Sequence, residues 1–277
     1  MRLIDTHAHL NSSSLVEDLD GVLNRAKAAE VDIIVNVGYN IVASRSSVHY
    51  AVQYPQVFAA VGQHPQDALN YSDEVEQELM QLMTKPKVVA VGEIGLDYYR
   101  DYAPRDVQRN VFIRQLGFAR EAGIPVMIHT RDAAMETVDI LKAEGNNVGI
   151  IHCFSYSWEI AKLCLKMGFY ISLAGPVTFP NAPKLHDLAR RIPLERLVLE
   201  TDAPWLAPQR FRGTRNEPAY VRETAMHIAA LRGVDIQELA AATTANAEAL
   251  LGFSKHDANG SSPSSQANSE GEPYDEP

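Results

Sequence analysis

Two histidines stand two residues apart near the start of the sequence, His7 and His9 in LIDTHAHLN. On an extended strand such a pair points to one face, so both imidazoles reach one point. Neutral imidazole is the commonest protein ligand for zinc-like ions. Glu93 follows an apolar run in VVAVGEIGLD, His129 another in IPVMIHTRDA, His152 a third in VGIIHCFS and Asp202 a fourth in RLVLETDAPW. A carboxylate just past a buried run is costly unless it is solvated, paired or coordinating. Taken singly, each residue also has an ordinary structural role, as a hydrogen-bonded histidine or a loop acid. Six metal-competent groups exceed what one tetrahedral ion needs. The set predicts two divalent ions, zinc, manganese or magnesium, with the oxygens of Glu93 bridging them. His7, His9 and Asp202 would complete one position, and His129 and His152 the other. Such a pair lowers the pKa of water, which attacks phosphorus or a carbonyl carbon, and stabilises charge on the substrate oxygen. Asp202 is the expected acceptor of the water proton, and Glu93 the second catalytic candidate.

Other residues share these stretches. His64, in AAVGQHP, either orients substrate or serves a turn, and Arg131, two residues after His129, either binds an anion or pairs with Asp132. Arg210, Arg212 and Arg215 surround Phe211; arginines suit phosphate, and Phe211 or Trp205 could stack on a base. Asp97 reads as a turn or capping residue. Glu200 precedes Asp202 by two positions and would face the same way on a strand. Asn216 and Pro218 are expected to start a helix. Cys153, beside His152, is read as a buried, inert thiol or an occasional ligand and not as a nucleophile.

These groups act together only if a fold gathers them. Strands are expected at 3–6, 33–37, 57–62, 88–92, 125–128, 148–151, 169–173 and 196–199. Several are apolar almost throughout, as strands buried on both faces are. From Arg105 to Gly123, Val107, Val111, Phe112, Leu116 and Ala119 recur at helical spacing. Gly123 ends that helix and Pro125 prevents its resumption. Asp132 is expected to cap the next helix, with Met135, Val138 and Leu141 on one face and Gly145 past its end. Eight strand–helix units in order predict an α/β protein. An open doubly wound sheet would carry a Gly-rich phosphate loop after the first strand, where this chain has DTHAHLN. The expectation is a single (β/α)8 TIM barrel over residues 1–253. In a barrel all the strand C-termini meet at one face, where catalytic residues gather. The six candidate ligands follow strands one, four, five, six and eight.

Composition sets bounds. The 277 residues are 46% hydrophobic and 22% charged, as in a globular protein. Two cysteines are too few for a disulfide framework. No cationic stretch followed by a long apolar core is seen, and no run is long enough to span a bilayer, so no signal peptide and a cytoplasmic location are expected. Residues 254–277, rich in Ser, Asn, Gly, Pro and acid, form an expected disordered tail. That tail carries one lysine and five acids, net −4, which leaves −6 of the chain's −10 on the other 253 residues. Such a surface offers no general attraction to a polyanion, so a nucleic acid would be held by metal ions and a local cationic loop.

LIDTHAHLN, GQHP, GEIGLDYYR, IHTRDA, HCFS and LVLETDAPWL occur in this order along residues 1–253. In this the sequence resembles the TatD family of metal-dependent deoxyribonucleases and hydrolases. The resemblance implies a TIM barrel, a divalent-metal site at His7, His9, Glu93, His129, His152 and Asp202, and hydrolysis of ester bonds, DNA phosphodiesters above all. The motifs leave open a carboxylic ester or amide substrate such as aminoacyl-tRNA, and a non-enzymatic metal-dependent interaction module. Oligomeric state is not legible.

Overall fold

A computed structural model describes residues 1–100 and 102–254. The expected disordered tail, beyond its first residue Ser254, lies outside the described residues. Eight parallel strands follow one another around a sheet: β1 (Leu3–Ala8), β2 (Val31–Val37), β3 (Val57–Val61), β4 (Val88–Asp97), β5 (Val126–Arg131), β6 (Gly149–Ile151), β7 (Tyr170–Leu173) and β8 (Leu197–Leu199). The helices are α1 (Ser13–Val16), α2 (Leu19–Ala28), α3 (Ile41–Gln53), α4 (Asp73–Leu82), α5 (Arg105–Ala122), α6 (Ala134–Glu144), α7 (Trp158–Lys166), α8 (Pro183–Arg191), α9 (Val221–Arg232) and α10 (Ile236–Leu251). This is the expected α/β barrel. No helix among the described residues is long and apolar enough to cross a membrane.

The seam between β8 and β1 is closed by the segment after β8, at the end that carries the candidate site. Asp202 N–H donates to the His7 carbonyl at 2.9 Å, and His9 N–H to the Ala203 carbonyl at 2.8 Å. Below this, the buried Asp5 accepts from Thr201 N–H at 2.9 Å and Thr201 Oγ1 at 2.5 Å. Burial pushes the Asp5 carboxyl up to about 8, against these hydrogen bonds. Inside the barrel Ile4, Val35, Phe58, Ala60, Met127, Ile150 and Val198 pack together. Phe253, just past α10, closes the group, with its ring 4.7 Å from that of Phe58. A second, larger buried layer, including Leu3, Ile34, Ile94, Phe112 and Leu197, lies between strands and helices.

Three strands run further than sequence patterning suggests. β1, β4 and β5 continue through His7, Glu93 and His129, and β5 ends on Arg131. Patterning ends these three strands just before His7, Glu93 and His129, but at a barrel mouth polar side chains satisfy one another and the ladder continues. The helix at 105–123 forms as expected, with Gly123 at φ 67 as its left-handed cap. Asp132, in contrast, does not cap α6: the capping position is Ala133, with no side-chain hydrogen bond, and Asp132 sits at φ 53. Met135 is not on the buried face of α6 either; it is 51% exposed, while Val138 and Leu141 are buried.

Candidate active site

All six candidate ligands meet at the C-terminal mouth of the barrel. His7 Nε2 and His9 Nε2 lie 3.1 Å apart. Glu93 Oε2 is 3.5 Å from the first and 3.6 Å from the second, and Asp202 Oδ1 is 3.8 and 3.5 Å from them. The other Glu93 oxygen, Oε1, is 2.7 Å from His129 Nδ1 and 2.9 Å from His152 Nε2. The two oxygens of one carboxylate are thus divided between two nitrogen sets. Glu93 is 4% exposed, and its N–H donates to the Gly38 carbonyl at 2.8 Å.

The partners of His9, His152 and His129 fix which nitrogen of each faces inward. His9 Nδ1 lies 3.0 Å from the Val37 carbonyl, which accepts only a proton, so Nε2 keeps its lone pair. His152 Nδ1 lies 3.2 Å from Glu200 Oε1, which leaves the His152 Nε2 lone pair aimed at Glu93. His129 Nε2 faces Asp97 Oδ2 at 3.4 Å. Lone pairs aimed at lone pairs and at carboxylate oxygens repel unless a proton or a cation lies among them. The donor set is imidazole nitrogen and carboxylate oxygen alone, and it fits divalent ions of the zinc or manganese type.

In the metal-free chain the electrostatics favour protons there. Burial pushes the Glu93 carboxyl up, yet the His152, His64 and His129 imidazoles hold it well below the carboxylate range. Burial pushes His152 down, but Glu93 and Glu200 raise it well above the usual histidine value. His9 is raised in the same way, Asp202 outweighing burial, and His129 by Asp97 and Glu93. His7 is lowered, by burial first and then by His152.

His64 serves the turn that its position suggested, and its other nitrogen faces the cluster. Its Nδ1 accepts from Gln66 N–H at 3.1 Å, at the start of the short 3-10 turn Pro65–Asn70. Nε2, which then carries the proton, points at Glu93 Oε1 from 3.6 Å. Burial and the neighbouring His129 push His64 down to about 3, so it is neutral. A nitrogen that carries a proton donates and does not ligate. Its ring meets that of His129 edge-on at 4.4 Å.

Two buried glutamines of α5 steady this wall. Gln115 accepts from Gln63 N–H at 2.8 Å and donates to its carbonyl at 3.0 Å. Gln108 does the same to Asp97, at 2.9 and 3.1 Å. Asp97 makes the expected turn, accepting from Tyr99 and Arg100 N–H at 3.1 and 2.9 Å. Sequence reasoning missed the glutamines, although polar residues on an otherwise apolar helical stripe were a signal for them. It also misplaced Glu200. The strand ends at Leu199, and Asp202 lies in the left-handed region at φ 56, so residues 200 and 202 do not share a face and Glu200 turns to His152.

The mouth opens into a cavity of about 660 Å³, lined by Tyr39, Gln66, Arg100, Tyr102, Arg131, Trp205 and Leu206 as well as by the cluster. Arg131 does not pair with Asp132; its guanidinium stacks on Tyr99 at 3.9 Å. Neither Arg100 nor Arg131 forms an ion pair among the described residues. Trp205 is 52% exposed, with its ring 5.1 Å from that of His9. Asn216 does not start a helix but holds this segment, donating to the Thr201 and Trp205 carbonyls at 2.8 and 2.5 Å. The arginines after β8 have structural partners instead. Arg210 pairs with Glu223 at 3.0 Å, Arg212 stacks on Phe179 at 4.7 Å, and Arg215 reaches the Ser14 carbonyl at 2.6 Å. Phe211 stacks on Tyr220 at 3.8 Å, outside the cavity lining. Burial and the nearby acids push the Cys153 thiol well up, which favours its protonated form.

A family model described as TatD related DNase matches residues 4–252. The chain belongs to the TatD family of metal-dependent hydrolases. A Bacillus subtilis relative, named only as a metal-dependent hydrolase, is 45% identical over 90% of this chain and 98% of its own length. A Citrobacter rodentium relative named 3'-5' ssDNA/RNA exonuclease TatD is 36% identical over 91% of this chain and 98% of its own. Among solved structures, a TatD homologue from Escherichia coli superposes with a TM-score of 0.87 at 31% identity, covering 91% of this chain and 98% of that one. In this TatD-family chain, then, the cluster at the barrel mouth is the natural candidate for the metal-dependent chemistry of the family.

Proposed function

We propose that residues 1–253 form a two-metal phosphodiesterase that cleaves single-stranded or frayed nucleic acid. The observation that carries this reading is the junction, at one cavity, of a carboxylate divided between two nitrogen sets with exposed aromatic rings and two guanidiniums that form no ion pair among the described residues. His7, His9, Asp202 and Glu93 Oε2 would hold one ion, and His129, His152 and Glu93 Oε1 the other. Bound there, the ions supply an acidified water and a Lewis acid for the phosphoryl oxygens. Asp202 has one carboxylate oxygen near the imidazole pair and lines the cavity, so it serves as proton acceptor. Neutral His64 offers its Nε2–H to a substrate oxygen. Arg131, held flat by Tyr99, and Arg100 meet a neighbouring phosphate. Trp205 and Tyr102 give a base a surface to stack on, which a paired duplex cannot use. The Citrobacter relative's name supports the same substrate class.

The deciding assay offers purified protein with Mg2+, Mn2+ or Zn2+ three substrates: single-stranded DNA, duplex DNA and aminoacyl-tRNA. Single strands should be cut fastest, and His129→Ala should abolish cutting. Hydrolysis of the aminoacyl ester without DNA cleavage would turn the reading to a carboxylic ester hydrolase. Metal uptake with no hydrolysis at all would turn it to an interaction module.

A further inference from the structure

Glu200 is fully buried on the side of His152 away from the cavity. Its Oε1 lies 3.2 Å from His152 Nδ1, and this is its one side-chain hydrogen bond among the described residues. Its other oxygen, Oε2, is buried with no hydrogen-bond partner among the described residues. A carboxylate taken from water with one oxygen bare is unfavourable in itself, so stability alone does not explain its presence. What it does accomplish is directional. By accepting the Nδ1–H hydrogen bond it fixes the ring's tautomer and plane, and it makes the Nε2 lone pair a stronger ligand. The other nitrogen set has no carboxylate in this position: His9 is backed by the neutral Val37 carbonyl, and His7 Nδ1 has no partner among the described residues.

We infer that Glu200 is a positioning residue that presents His152 Nε2 to one of the two metal positions, so that its loss weakens that ion and leaves the other in place. The inference rests on the two-ion reading above. Outer partners of this kind are worth about 10–100-fold in metal affinity. Glu200→Gln keeps an acceptor for Nδ1–H and puts an amide nitrogen at the bare oxygen; Glu200→Ala removes the acceptor.

The test is calorimetric titration of the metal-free proteins with Zn2+ and Mn2+, with bound metal counted by mass spectrometry. Wild-type protein should take up two ions. Glu200→Ala should lose about 10–100-fold for one of them and keep the other's affinity, and Glu200→Gln should recover most of the loss. Should Glu200→Ala fold poorly by circular dichroism, Glu200→Met, which fills the space without an acceptor, takes its place with the same expectation. A wild-type titration that stops at one ion overturns the two-ion reading and the selectivity with it. Two ions in the wild type that stay equally tight in Glu200→Ala, or weaken together, overturn the role of Glu200. So does a Glu200→Gln variant as impaired as the alanine one.

Discussion

Replacing Asp202 by Asn separates the charge of this side chain from its shape. The amide is isosteric, and asparagine tolerates the left-handed backbone at φ 56 as well as aspartate does. The backbone bond from residue 202 to the His7 carbonyl at 2.9 Å, which helps close the barrel, is untouched. What disappears is an anionic oxygen 3.5 Å from His9 Nε2 and 3.8 Å from His7 Nε2. A positioned general base contributes about 10²- to 10⁴-fold, or roughly 3–5 kcal/mol of barrel-mouth catalysis at 1.36 kcal/mol per decade. Because the same oxygen also faces a metal position, kcat must be measured at saturating metal with bound ions counted. On a single-stranded oligonucleotide, kcat should then fall by about 10²- to 10⁴-fold while KM changes by no more than about threefold. A kcat within tenfold of wild type at full metal occupancy refutes the proton-acceptor role. A loss that excess metal restores would reduce Asp202 to a ligand.

Three further outcomes follow from the same geometry. His9, His129 and His152 are raised in the metal-free chain, so metal must displace their protons. Apparent metal affinity should therefore rise with pH. The ion pairs that stabilise the metal-free fold are complete below the unfolded histidine pKa and are lost as pH climbs through the raised folded values. The gap in Tm between loaded and metal-free protein should accordingly widen with pH in scanning calorimetry, and a constant gap would contradict these protonation states. Trp205→Ala should raise KM for single-stranded DNA about 5- to 150-fold, from about 1–3 kcal/mol of stacking per base, whereas Arg210→Ala, whose guanidinium sits on Glu223, should leave it within about twofold. Equal effects in the two would move the strand to the loop after β8. Gly95 lies at φ 141, and a Cβ there would come 1.9 Å from the His129 carbonyl oxygen. Gly95→Ala should cost about 1–3 kcal/mol, seen as a lower Tm, together with weaker metal binding as His129 shifts; an unchanged Tm and metal titration would refute this.

The candidate site was legible because its residue types are unusual just where apolar runs stop, and a barrel brings such ends together. His7, His9, Glu93, His129, His152 and Asp202 could be named without knowing any side-chain direction. The layer behind them could not. Glu200 and Asp202 have the spacing of strand neighbours, and only the left-handed turn at 202 sends them to different partners. Met135 fits the apolar spacing of α6, yet it is 51% exposed, while Ala133, Thr137, Val138 and Leu141 are buried. The arginine-rich loop showed the opposite error. Charge density suggested a phosphate site, but the loop packs back on Ser14, Phe179 and Glu223, and the cations that face the cavity are Arg100 and Arg131, in the loop after β4 and at the end of β5.

That relocation changes how the substrate must be held. A barrel with a net charge near −6 outside the tail does not draw a polyanion from a distance. If only Arg100, Arg131 and the metal centre each neutralise one phosphate, about three counterions are released, and log K should fall with log salt at a slope of about −2 for a single strand. A fourfold rise in salt would then weaken binding by about 20-fold. The measurement is made on Asp202→Asn protein with metal bound, which should hold the strand without cutting it, by fluorescence anisotropy across a salt series. A slope of about −4 or steeper would require further cations along the strand, and the arginines after β8 would have to leave their partners to supply them. A slope near zero would mean that the bound group is not a polyanion. In that case the aromatic rim, rather than the guanidiniums, would be selecting the substrate, and an uncharged ester would fit the cavity as well as a phosphodiester.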